Sequence, residues 1–133
     1  MCGTKEVKMV NHHILVIEDE ADLRETLKEF LEVLGFKVET AANGREGLRQ
    51  LDETGHPCLI LLDLMMPVMN GWEFLEVIKK DQQHVLASIP VVVVSAAVNV
   101  TAIQQQFGCR AMHKPFDIDQ LVTLVREHCE CCC

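Results

Sequence analysis

The sequence has no tyrosine, one tryptophan and five phenylalanines in 133 residues, so aromatic side chains make up only 5% of it. A core drawn from this composition must be aliphatic. Apolar runs are short as well, a few residues each, against the ~20 that a membrane-spanning helix needs. Residues 1–11 lack the apolar segment of a signal peptide. Lys and Arg number 12 against 20 Asp and Glu, giving a net charge of −8, and no basic run or stripe stands against that excess. Direct nucleic-acid binding is therefore not expected, because neutralising phosphates supplies most of such affinity. No internal repeat or long linker divides the chain. These absences lead to the expectation of one soluble, cytoplasmic domain without a membrane span. What is present, 49% hydrophobic residues, is enough to bury a real core.

Cysteine is not scarce. Cys2, Cys58 and Cys109 are scattered, whereas Cys129, Cys131, Cys132 and Cys133 crowd the C-terminus. Thiols stay reduced in a cytoplasmic chain. A soft metal, oxidation or a lipid could use the terminal cluster, but a zinc site separates its cysteine pairs and draws on two segments. The expected organisation is a flexible tail over 1–12, one domain over 13–128 and a frayed, reactive Cys-rich tail over 129–133.

Between the tails, short apolar runs alternate with helical patterns. Ile14–Ile17 precedes Leu23, Leu27, Leu31 and Leu34 at helical spacing, with Gly35 as the stop. Phe36–Ala41 alternates apolar and polar, as an edge strand does. Asn43 can cap a helix carrying Leu48 and Leu51. Leu59–Leu62 reads as a buried strand, and Asn70-Gly71 opens a helix with Phe74, Leu75 and Ile78. Val91–Val94 is a further buried strand, Asn99–Phe107 a weak helix, Cys109–His113 a last strand, and Ile118, Leu121, Val122 and Val125 mark a final helix. Five βα units in series predict an α/β fold: a doubly wound, flavodoxin-like (βα)5 parallel sheet of five strands in the order 2-1-3-4-5.

Such sheets bind ligands beyond the carboxyl ends of their strands, so the residues that follow each apolar run matter most. They are Glu18, Asp19 and Glu20 after the first run, Asp63 after the third, Ser95 after the fourth and Lys114 after the fifth. Any one of these alone is best read as a cap, a turn or a solvated charge. Together they put repelling acids on adjacent central strands, where a positive partner is required. Hard carboxylate oxygens suit Mg²⁺, and Lys114 adds a fixed cation. A carboxylate beside Mg²⁺ and an amine is equipped for phosphoryl transfer, with Asp63 the best placed nucleophile and Ser95 a hydroxyl donor.

The segments ILVIEDE (14–20), LLDLMMPVMNG (61–71), VVVVSA (91–96) and HKPF (113–116) resemble the four signature blocks of the response regulator receiver family, in order and at suitable spacing. The resemblance implies that Asp63 accepts a phosphoryl group from a phosphohistidine donor on a histidine kinase or histidine phosphotransfer protein. It implies Asp19 as a direct Mg²⁺ ligand, Glu18 acting through water, and the Met65 backbone carbonyl completing the protein ligands with Asp63. Ser95 matches the switch hydroxyl and Lys114 the paired amine, with the Lys114–Pro115 bond cis. Such a domain is a phosphoacceptor that assists its own phosphorylation and dephosphorylation rather than an enzyme acting on other substrates. Because the chain ends after the fifth helix, output is expected through a downstream protein target. Two positions depart from the family pattern: Glu18 stands where Asp is frequent, and Ala111 stands where an aromatic ring usually relays the switch.

Three other readings compete. A flavin or dinucleotide protein would place a Gly-rich phosphate loop where Glu18-Asp19-Glu20 stands. A phosphatase of the aspartyl-phosphate class would carry a second Asp at position 65, which is Met65. A receiver-like scaffold that binds partners without phosphorylation is favoured by Ala111 and opposed by the retained acids, Ser95 and Lys114.

Overall fold

Successive side chains of a strand point to opposite faces of its sheet, so a strand covered on both faces must be apolar at every position. The computed structural model of the chain describes residues 13–81, 86–96 and 100–129. In it β1 (His13–Ile17), β3 (Leu59–Leu62) and β4 (Val91–Ser95) are buried along their whole length. By contrast β2 (Lys37–Ala41) and β5 (Arg110–His113) mix buried positions with exposed ones. The three buried strands are central and the two mixed strands are edges, in a parallel sheet of order β2-β1-β3-β4-β5. This is the doubly wound flavodoxin-like order that the sequence implies.

The period of two sorts the core into two layers. Ile14, Val16, Leu59, Leu61, Val92 and Val94 pack with α1 (Ala21–Val33) through Leu27 and Leu31, and with α5 (Ile118–Cys129) through Leu121 and Val125. Leu15, Ile17, Ile60, Leu62, Val91 and Val93 pack on the other face. There they meet Leu51 of α2 (Gly44–Thr54), Phe74, Leu75 and Ile78 of α3 (Gly71–Lys79), and Ile103 of α4 (Val100–Phe107). Each fully buried Leu or Ile contributes roughly 1.5–3 kcal/mol relative to exposure. Among the described residues no helix is long and apolar enough to cross a membrane.

Local chemistry fixes where the helices start and stop. Gly35 has φ 103°, and its N–H bonds the Glu32 carbonyl while that of Phe36 bonds Leu31, a Schellman ending that turns the chain into β2. The Asn43 side chain accepts the Glu46 N–H at 2.9 Å at the start of α2. Asn70 and Glu73 form a reciprocal capping box at the start of α3.

The expected helix over Asn99–Phe107 is described from Val100, and Asn99 lies outside the described residues, as do the 1–12 tail and residues 130–133. Cys129, which the sequence reading gave to the tail, is the buried last residue of α5. It forms a disulfide with Cys58, just before β3. Spacing along the chain gives no sign of that pairing, since 71 positions separate the two cysteines.

Candidate functional site

Strand register builds the site. Ile17 pairs with Leu62 across β1 and β3, so the next residues, Glu18 and Asp63, emerge side by side at the carboxyl edge of the sheet. Ser95 ends β4 opposite His113 of β5, so Lys114 follows directly onto the same edge. Its backbone N–H is tied to the Ser95 carbonyl at 2.8 Å. The Lys114–Pro115 bond is cis, in accord with the resemblance.

The side chains converge in a buried corner. Glu18 and Asp63 are 3% and 4% exposed and Ser95 is fully buried, while Asp19 is exposed. Glu18, Asp19 and Asp63 each present an oxygen within 4.8 Å of the others. The Lys114 ammonium donates to Glu18 Oε1 at 2.9 Å and lies 3.5 Å from Asp63 Oδ1. The shorter contact is to Glu18. Lys114 thus compensates both buried acids at once.

Two contacts at the site emerge only from the fold. The Arg24 guanidinium, one turn into α1, donates to the Glu18 carbonyl at 2.9 Å and holds the β1–α1 turn. A Cβ placed on Gly71 would stand 2.6 Å from the Asp63 carbonyl oxygen and 2.7 Å from Leu64 Cα, so only glycine lets α3 begin this close to the loop that follows β3. The Gly71 N–H uses that proximity to bond the Leu64 carbonyl at 2.9 Å. Within the loop Val68 has φ 68°, rare for a β-branched residue, and the Met69 N–H closes a tight turn onto the Pro67 carbonyl at 2.7 Å.

The electrostatics follow from this crowding. Burial pushes the Asp63 carboxyl up to about 7, and the Glu18 charge adds to the rise; Lys114 and the Met65 backbone N–H act in the opposite direction. Burial tends to lower Lys114, but its hydrogen bond to Glu18 and the charges of Glu18 and Asp63 outweigh that and raise it. Two buried acids sharing one ammonium remain short of positive charge. Their hard oxygens suit a divalent cation with oxygen preference, so the donor set fits Mg²⁺. A cavity of about 390 Å³ lined by Asp19, Leu64, Met65, Asn70 and Trp72 opens beside the cluster.

On the flank, Ala111 is half-buried and His113 exposed. Both border a groove of about 600 Å³ between α4, β5 and α5. The small side chain at 111 puts no aromatic ring there.

Comparison with known proteins gives a consistent set of likenesses. The family model described as response regulator receiver domain matches residues 14–126. The chain is 40% identical over 118 residues to response regulator Rre1 of Synechocystis sp., covering 85% of this chain and 49% of that protein. It spans about half the length of such curated relatives. Among solved structures, the Francisella response regulator 1452 receiver domain superposes with a TM-score of 0.78 at 28% identity, covering 90% of this chain and 98% of that one. Response regulator TrrA of Thermotoga maritima, in complex with Mg²⁺-BeF, superposes with a TM-score of 0.73 at 29% identity, covering 86% and 96%.

Proposed function

The chain belongs to the response regulator receiver domain family, and on that premise we propose that Asp63 is its phosphoacceptor in two-component signalling. The donor is a phosphohistidine on a histidine kinase or histidine phosphotransfer protein in the cytoplasm, and the output is altered binding to a downstream protein target. In the transfer an Asp63 oxygen bonds to phosphorus as the donor's N–P bond breaks and the imidazole nitrogen leaves. Lys114 neutralises charge on the phosphoryl oxygens, and the Ser95 hydroxyl donates to one of them after transfer. Glu18, Asp19, Asp63 and the Met65 carbonyl are the residues proposed to hold Mg²⁺, which supplies further neutralisation there. The Mg²⁺-BeF complex of TrrA supports this assignment by likeness.

The observation that carries the reading is the buried Asp63 carboxyl flanked by Glu18 and 3.5 Å from Lys114. With Lys114 as the nearby amine, a carboxyl pushed up by burial and like charge is ionised more readily, and so becomes a better nucleophile, when further positive charge is supplied. The test is intact-mass analysis after exposure to acetyl phosphate, with and without Mg²⁺, for the wild type and Asp63→Asn. A single phosphoryl adduct that needs Mg²⁺ and disappears in the variant is expected. Labelling of Asp63→Asn at the wild-type rate would reject the assignment.

The second reading, a scaffold that binds partners without phosphorylation, draws on Ala111 and the open groove beside it. It predicts the same partner affinity for wild type and Asp63→Asn, with or without acetyl phosphate.

A further inference from the structure

The phosphoryl-transfer reading leaves one chemically capable pair unused, at the opposite end of the sheet. Cys58 precedes β3 and Cys129 ends α5, with their Cα atoms 5.5 Å apart and their sulfurs joined. That separation lies within the range that a disulfide spans without backbone movement. The two sulfurs differ in access: Cys129 is 4% exposed and packs in the layer beneath α1 and α5, whereas Cys58 is only half-buried. The His13 carbonyl oxygen lies 3.4 Å from Cys58 Sγ, so the thiol formed on reduction has an acceptor in place. On the Cys58 side, reduction therefore leaves no unsatisfied donor. Cys109, the free cysteine among the described residues, is half-buried with its thiol pushed up by burial, and is the natural internal control.

We propose that Cys58 and Cys129 are a reversible dithiol–disulfide site that fastens the C-terminal end of α5 to the start of β3. The co-reactant is a small-molecule thiol–disulfide couple of the glutathione class. In oxidation the Cys58 thiolate attacks a sulfur of the external disulfide, forming a mixed disulfide and releasing one small thiol. The Cys129 thiolate then attacks Cys58 Sγ, forming the internal bond and releasing the second. Two protons and two electrons leave the protein, and one external disulfide becomes two thiols. Reduction runs backward, with entry again at the more accessible Cys58. Reversibility is what a reducing compartment implies for such a pair; in this the inference leans on the cytoplasmic location proposed above, but not on phosphorylation.

The fastening acts on α5, which holds to the sheet through Leu121, Val125 and Cys129. Opening a link that closes a loop of 71 positions lowers Tm by roughly 10 °C and exposes the last turns of α5 to exchange. The site is remote from Asp63, because the whole of β3 lies between them, about 13 Å of strand.

The experiment equilibrates the full chain with glutathione buffers from fully reduced to fully oxidised, quenches with N-ethylmaleimide, and maps the linked peptides. A Cys58–Cys129 peptide that appears and disappears with the buffer ratio is expected, while Cys109 remains alkylated throughout. Wild-type Tm should fall on reduction, and amide exchange in 118–129 should quicken; Cys58→Ala should respond in neither way. Cys129→Ala should trap a mixed disulfide on Cys58. Because Cys129→Ala also removes core volume, Cys58→Ala carries the stability comparison. Three results overturn the proposal: no linked peptide in any buffer, a link that excess reduced glutathione cannot open in the folded chain, or α5 exchange that is identical in both states. Acetyl phosphate labelling of the same samples reads the Asp63 assignment separately, so either idea can fail alone.

Discussion

The two ends of β3 are built on opposite terms. At the amino end Cys58 is covalently joined to the last residue of α5 in an apolar layer. At the carboxyl end Asp63 sits buried beside a second buried acid, with one ammonium shared between them. That end also holds a β-branched residue at positive φ and a helix start that tolerates no side chain at Gly71. The four residues between, Leu59–Leu62, are fully buried in both layers of the core. One end favours the folded state and the other stores repulsion and strain. On the proposed function, a site built to bind a cation and accept a phosphoryl group is expected to be unfavourable until it does so.

The sharpest way to break this comparison is at Gly71. The atoms a Cβ would strike, the Asp63 carbonyl oxygen and Leu64 Cα, are backbone and cannot swing aside. Gly71→Ala should therefore destabilise by about 2–3 kcal/mol in urea titration, and should slow labelling of Asp63 by displacing its loop. A loss under about 0.5 kcal/mol, the range of ordinary surface changes, would mean that the carboxyl end is slack rather than tightly set.

A smaller effect should come from the charge itself. The Asp63 carboxyl titrates at about 7 in the folded chain, raised by burial and Glu18 from an ordinary value of 3.8. The folded state thus holds a proton that the unfolded state has lost between those values, so stability is full below about 3.8 and falls as pH rises through about 7. Asp63→Asn removes this loss. In metal-free buffer its stability gain over wild type should grow from near zero at pH 4 to on the order of 2 kcal/mol at pH 8, once solvent screening is allowed for. Thermal melts across that range measure it. A gain that does not change with pH would show that Asp63 is not the repelled group.

How far the sequence could reveal this contrast follows from what each end depends on. The carboxyl end was legible because its acids, hydroxyl and amine directly follow the apolar runs, and the unbroken apolarity of the first, third and fourth runs marked them as central strands. Edge and centre were legible for the same reason: Val38 is buried between exposed Lys37 and half-exposed Glu39, whereas Ile60 is buried among buried neighbours. The amino end was not legible, because the Cys58–Cys129 link depends on where α5 comes to rest across the sheet. Arg24 drew no reading, and Gly71 read only as the start of a helix, for a related reason. A helix arginine and a glycine after an asparagine look alike whether they face solvent or the site, and only the β1–α1 and β3–α3 turns bring them to Glu18 and Asp63.

The smallest predicted effect tests whether strain, separate from charge, belongs to the carboxyl end. Val68 is 70% exposed, so its side chain contributes little packing, yet it holds φ 68° in the turn closed by Met69 and Pro67. A left-handed conformation costs an L-residue about 1–2 kcal/mol. Glycine avoids that cost but gives back about 0.5–1 kcal/mol through its freer unfolded chain. Val68→Gly should therefore stabilise by a net amount of about 0.5–1 kcal/mol, read from urea midpoints at unchanged m-value. Because no titratable group moves, the gain should be the same at pH 5 and pH 8, unlike that of Asp63→Asn. A gain that depended on pH would mean that the turn sets the carboxylate environment, so that strain and charge at this end are one feature. A loss of stability would mean that the Val68 turn is comfortable as it stands, leaving repulsion between Glu18 and Asp63 as the main internal cost of the site.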